Sequence, residues 1–140
     1  MKSNNMGTSH RRQTIRLPGY DYTQPGAYFI TICTYEKTCL FGEISECEIR
    51  LSHTGQIAQN EWLRLNNRFQ HINLDEFIIM PNHIHAIITI LCEGTADVRT
   101  DTGQSNSRRA STGEQFGKPV PGSIPTIIRS YKSSVTQRVK

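Results

Sequence analysis

Phe77-Ile78-Ile79-Met80-Pro81-Asn82-His83-Ile84-His85-Ala86-Ile87-Ile88 is the stretch whose reading decides the fold of this chain. Leu74–Met80 is apolar and β-prone, so it reads as a strand, and Pro81-Asn82 breaks it. Ile84–Leu91 reads as a second strand, apolar apart from His85 and Thr89. Two apolar strands joined across Pro-Asn predict a central antiparallel pair. Residues two apart on a strand share a face, so His83 and His85 stand side by side while Ile84 points into the opposite layer. Two neutral imidazoles one strand repeat apart can bind one divalent ion, with a third ligand and a substrate phosphate completing the shell. The plainer alternative is a pair of half-exposed or carbonyl-bonded histidines. A polar pair in so apolar a strand costs free energy unless partnered, which weighs toward a functional role.

Outward from that pair, Tyr28 to Tyr35 is rich in β-branched and aromatic residues and reads as a strand. Leu40–Ile44 and Cys47–Leu51 read as a hairpin around Ser45-Glu46. The period then changes. Ile57, Trp62 and Leu65 fit a helix from about Thr54 to Asn67, capped by Ser52 or Thr54, with Gly55 in the first turn counting against it. After Pro121-Gly122, Ser123 can cap a helix starting at Ile124 or Pro125. Ile127, Ile128, Tyr131 and Val135 fall on one side of it, so it reads as amphipathic up to the last residue.

These elements predict a single α+β domain with a central antiparallel sheet flanked by helices. Residues 1–10 read as a disordered polar tail and 11–92 as the body of the domain. Residues 93–122 hold almost no apolar side chains and cannot offset their ordering entropy, so they read as a mobile linker or insertion. Residues 123–140 form the C-terminal helix of the same domain.

Composition narrows the function. Sixteen Lys and Arg against twelve Asp and Glu give a net charge of +4 and a pI near 9.0, a balance that suits an anionic partner. His10, Arg11, Arg12 and Arg16 cluster before the fold, and Arg129, Lys132, Arg138 and Lys140 cluster at its end. Two basic ends could clasp a phosphate backbone; a solvated tail and an ordinary helix surface explain the charges equally well. No apolar run reaches the length that a bilayer demands and the N-terminus has no signal-peptide character, so a cytoplasmic protein with no membrane partner is expected. Cys33, Cys39, Cys47 and Cys92 show no metal-binding spacing and read as small buried hydrophobes or free thiols.

Tyr131 is a second candidate for chemistry, because a helix-borne tyrosine beside Lys132 could attack a phosphodiester and form a covalent link. Its spacing from Ile128 and Val135 is that of a packed helix face, and packing is the favoured reading. Tyr20, Tyr22 and Tyr28 read as turn and core residues, with base stacking by Tyr20 or Tyr22 as a lesser option. Trp62 reads as core, and His53 and His71 as isolated surface residues.

With these residues in view, the chain resembles the REP-associated tyrosine transposases, part of the HUH single-strand DNA transposases of small insertion sequences. The matching pieces are Arg16-Leu-Pro-Gly-Tyr-Asp-Tyr22, Gly26-Ala-Tyr-Phe-Ile-Thr-Ile-Cys-Thr34, Leu40-Phe-Gly-Glu43, Glu61-Trp-Leu63, Asp75 through His85, and Ile127 through Thr136. Met-Pro-Asn-His-Ile-His is the most specific of them. The resemblance implies magnesium or manganese on His83 and His85, polarising a scissile phosphate. It also implies a tyrosine nucleophile that forms a 5′-phosphotyrosine, hence DNA transposition and recombination by a mobile element. The DNA it implies is a single strand folded into a small hairpin, with Arg11, Arg12 and Arg16 as contacts by analogy and Tyr20 and Lys132 as further candidates. In the family the nucleophile follows the helix that Ile127–Thr136 resembles, within a pattern like Tyr-Ile-x-x-Asn-Pro. The Asn (a Gln in relatives), four residues after the tyrosine, completes the metal shell. This sequence reaches Lys140 without that pattern, and Val135 stands at the corresponding offset from Tyr131, where it cannot ligate a metal. The expectation is therefore a transposase lacking its final part, with DNA and metal binding retained and cleavage weak or absent. A catalytically inactive DNA-binding module is the alternative. A homodimer is compatible with the sequence without being required by it.

Overall fold

The computed structural model describes residues 16, 17, 19–92 and 120–140. The tail 1–10, Arg11 and Arg12, and nearly all of the segment 93–122 lie outside the described residues. The chain runs β1 (Gly26–Cys33), a 3-10 turn (Tyr35–Lys37), β2 (Gly42–Ser45), β3 (Glu48–Leu51), α1 (His53–Leu63), α2 (Leu65–Arg68), β4 (Ile72–Met80), β5 (His83–Ile90) and α3 (Ile124–Val139). It is an α+β fold. β5 lies between β1 and β4 in an antiparallel three-stranded sheet, and β2 and β3 form a separate hairpin.

Alternation along β5 splits the sheet into two unlike faces. Ile84, Ala86, Ile88 and Ile90 are buried and pack with Ile30, Ile32, Ile72 and Ile79 against the helices. Ile127, Trp62 and Leu65 close this core from the helical side, and each such fully buried side chain contributes about 1.5–3 kcal/mol. The other face carries His83, His85, Ile87 and Thr89 from β5, together with Phe29, Thr31 and Cys33 from β1 and Ile78 from β4. No helix among the described residues covers it, and Phe29 and Ile78 are 69% and 52% exposed.

β4 starts at Ile72, two residues before its expected start, because a bulge hides its period. Leu74 pairs with Ile88 and Phe77 with Ala86, so Asp75 and Glu76 together oppose Ile87. The extra residue lets both Leu74 and Phe77 face the core although they are three apart. Asp75 then lies on the open face, where its Oδ2 accepts from the Thr89 hydroxyl at 2.6 Å. β1 ends at Cys33, and Tyr35, expected in the strand, sits 72% exposed in the following turn.

The helices follow their caps. Ser52 accepts from the Gly55 amide at 3.1 Å and Ser123 from that of Thr126 at 3.4 Å. Gly55, which as a poor helix former counted against α1, is required by packing: a Cβ there would lie 2.0 Å from the Phe41 carbonyl oxygen. Glu61, only 1% exposed, ties the helices together by ion pairs to Arg64 at 3.2 Å, Arg68 at 2.6 Å and Arg138 at 2.6 Å. Arg68 also donates to Ser130 and Ser134 of α3.

Of the two readings offered for the cysteines, the structure shows free thiols, all four exposed because they fall on the open face, in turns or past a strand end, and it corrects the buried one. One further expectation is corrected. His71 is half-buried, with Nε2 3.0 Å from the Gly122 carbonyl, so it pins the entry to α3 instead of decorating the surface.

Candidate metal centre

The β4–β5 turn delivers both imidazoles to the mouth of the open face. Their ring centroids are 4.7 Å apart and nearly perpendicular at 76°, and both side chains are half-buried. Each is held through Nδ1. Asn82 Oδ1 lies 2.7 Å from His83 Nδ1. A carbonyl oxygen can only accept, so this contact places the proton of a neutral His83 on Nδ1 and leaves Nε2 its lone pair. Thr31, paired with His85 across the β1–β5 ladder, places its hydroxyl 3.0 Å from His85 Nδ1. When the hydroxyl accepts there, His85 presents Nε2 in the same way. Phe29 fixes the plane of His85 by stacking on it at 5.3 Å and 24°.

Asn82 is itself anchored. Its carbonyl accepts from the Thr34 amide at 3.0 Å and from the Thr34 hydroxyl at 2.9 Å. The 3-10 turn after Thr34 holds Glu36 and Lys37 at positive φ (50° and 56°), a conformation that L-residues adopt at a cost. Sequence reasoning isolated His83 and His85 but missed Asn82, Thr31 and Phe29. Asn82 stood in view inside the Met-Pro-Asn-His motif, whereas Thr31 and Phe29 become visible only through the β1–β5 register.

Two imidazole nitrogens are borderline donors of the kind that can hold a divalent first-row metal such as manganese, with the rest of its shell drawn from water or phosphate oxygen. Among the described residues, no group of three or more His, Cys, Asp or Glu could hold a metal by itself. His83 and His85 would therefore supply two nitrogens and leave the remaining positions to substrate, solvent or another segment.

Tyr131 is in the other layer. It is 2% exposed, packs edge-on against Trp62 at 5.2 Å and donates its hydroxyl to the Ala58 carbonyl at 3.0 Å. Burial, reinforced by Glu61, pushes its pKa well above the ordinary value of 10.0, which opposes formation of a phenolate nucleophile. The packing reading of Tyr131 therefore holds, and the sheet separates it from the imidazoles. Arg16 and Lys132, distant in sequence, line one groove beside α3. Tyr20 is 36% exposed and stacks edge-on at 4.9 Å against Tyr22, which lines the same groove. Arg11 and Arg12 lie outside the described residues. No described helix is long and apolar enough to cross a membrane.

Comparison with known proteins adds kinship without a named activity. No protein-family description matches the chain, and no solved structure matches it. An uncharacterized protein of Haemophilus influenzae is 35% identical over 134 residues, covering 94% of this chain and 69% of the relative. Identity of that extent and coverage means that the chain belongs to the same family as the Haemophilus influenzae protein.

Proposed function

We propose that this chain is a transposase-like protein of the REP-associated tyrosine type, which binds hairpin-forming single-stranded DNA at the open face of its sheet. The observation that carries the reading is the pair of imidazoles whose Nδ1 atoms are engaged by Asn82 and Thr31, so that their Nε2 atoms can face a common ion. Magnesium or manganese bound there would polarise a scissile phosphate. The chain's own residues orient the rings, and Phe29 and Ile78 offer apolar surface for unstacked bases.

A second reading is a binding module without cleavage, favoured by the burial of Tyr131 and its hydrogen bond to Ala58. The two readings part in one experiment. Labelled hairpin DNA is incubated with the protein and manganese, and denaturing gels are scored for a covalent adduct while native gels score binding. Metal-dependent binding that disappears in the His83→Ala/His85→Ala variant supports the metal site in either reading. A denaturation-resistant adduct selects the strand transferase, and binding without adduct selects the module. Binding that ignores both chelator and the double variant would refute the site.

A further inference from the structure

Between the last two turns of α3 and the end of β1 the packing leaves a cavity of about 400 Å³. Its deep wall belongs to the core: Phe41, Ile84 and Tyr131 line it and are 8%, 1% and 2% exposed. Its lip is apolar too, because Leu40 and Val139 also line it and are 47% and 45% exposed. Walls of this kind gain dispersion contacts from apolar matter that water does not supply.

The charged side chains at the cavity are of one sign. Lys132 on α3 and Lys140 at its C-cap are about two turns apart and flank the face that carries Val135 and Val139. Both lysines are exposed, so their methylene stems can cover the apolar wall while the ammonium groups stand at the opening. No Asp or Glu lines the cavity, and its remaining polar side chains are the hydroxyls of Thr34, Thr54 and Thr136 and the thiol of Cys33.

Size and lining together select a ligand class. The volume lies at the lower end of small-molecule sites, which run from about 300 to 1,000 Å³ and pair an apolar lining with a few polar groups that fix orientation. A bare anion would leave the apolar wall unused, and a plain hydrocarbon would leave both ammonium groups unused. A nucleotide would press its sugar and base edges against Ile32, Ile84 and Val135, whose side chains offer no hydrogen bond. An aliphatic chain ending in one anionic head satisfies both halves, because a compact ammonium serves as a point charge for such a head.

We propose that this cavity binds a small amphipathic monocarboxylate, taken up as the free monomeric acid. Its chain lies against Phe41 and Ile84, and its carboxylate meets Lys132 and Lys140. The site takes a different ligand from the proposed metal centre and rests on no part of that reading.

The test titrates decanoate, below its micelle concentration, into the full chain by isothermal calorimetry. Decyltrimethylammonium supplies the same chain with the opposite charge, and acetate supplies the head without the chain. One saturable site for decanoate is expected, with neither comparator binding. Lys132→Gln/Lys140→Gln should weaken decanoate roughly five- to tenfold, the loss of two exposed ion pairs. Arg50→Gln, an exposed charge on β3, is the control for net charge and should bind as the wild type does. Val139→Trp places a large side chain in the lip at an exposed position and should abolish binding with an unchanged circular dichroism spectrum. Full binding in Val139→Trp, equal binding of the cationic amphiphile, or no decanoate binding would each overturn the proposal. So would adsorption to phosphatidylglycerol vesicles without uptake of monomeric decanoate, or self-association that decanoate fails to displace. Manganese titration of Val139→Trp should match the wild type, so the cavity and the metal centre can fail separately.

Discussion

Replacing Asn82 with Ala is the perturbation that probes the proposed site most finely, because it spares both candidate ligands. The side-chain oxygen of Asn82 is 2.7 Å from His83 Nδ1 and fixes the proton there. Without it, the neutral ring can carry its proton on Nε2, which then has no lone pair for an ion. The Asn82 carbonyl, held by Thr34, needs no side chain, so the turn should keep its path. Loss of such an outer partner costs about 10- to 100-fold in metal affinity, equivalent to about 1.4–2.7 kcal/mol. Half-burial of His83 leaves water as a partial substitute for the lost acceptor, which places the expectation near the lower end of that range. Manganese titration followed by the electron paramagnetic resonance of the free ion measures this directly. Asn82→Asp restores an acceptor at the same reach and should recover most of the affinity. Full affinity in Asn82→Ala, alongside loss in His83→Ala, would refute the tautomer argument.

Other consequences follow from the same geometry. Tyr131→Phe removes one hydrogen bond to a carbonyl that also serves α1, so it should cost about 0.5–1.5 kcal/mol in denaturant titration and leave DNA binding intact. Because the Tyr131 pKa is raised in the folded state, the wild type keeps this tyrosine's contribution below pH 10.0 and loses it as pH climbs further. Tyr131→Phe should therefore show a flatter alkaline decline in stability, and an identical decline would contradict the assignment. Glu61→Gln should destabilise by about 1.5–3 kcal/mol, the range for hydrogen bonds to charged groups, because one carboxylate serves three partly exposed guanidiniums; an unchanged melting temperature would show that solvent screens the cluster. Gly55→Ala, favourable by helix propensity alone, should destabilise α1 because its methyl meets the Phe41 carbonyl. Phe29→Ala should barely alter stability but should weaken hairpin binding by about 1–3 kcal/mol if a base stacks there.

The parts legible in the sequence were those carried by local periodicity. β5 was legible as a nearly continuous apolar run after Pro81-Asn82, and the two-residue repeat of a strand gave the common face of His83 and His85. α3 was legible from Ser123 onward through its cap and its apolar stripe, and Tyr131 was rightly weighed as packing by its spacing. The β4 bulge was not legible, because Asp75-Glu76 reads as a polar interruption until the Leu74–Ile88 and Phe77–Ala86 pairings are known. Nor was the need for Gly55, which arises from Phe41 across a different element. At the candidate site, the histidine pair lay in one short motif, while Thr31 and Phe29 come from a strand more than fifty residues earlier. Arg16 and Lys132 were named separately as charges, and only the fold joins them in a single groove. The Glu61 cluster escaped notice because each of its arginines is unremarkable alone.

The account rests on His83 and His85 holding one divalent ion. Manganese binding to the full chain, compared between wild type and the His83→Ala/His85→Ala variant by the same resonance titration, tests that most directly. The account predicts one saturable site in the wild type, no measurable site in the double variant, and an unchanged circular dichroism spectrum. Equal manganese binding in both proteins, or none in either, would contradict it.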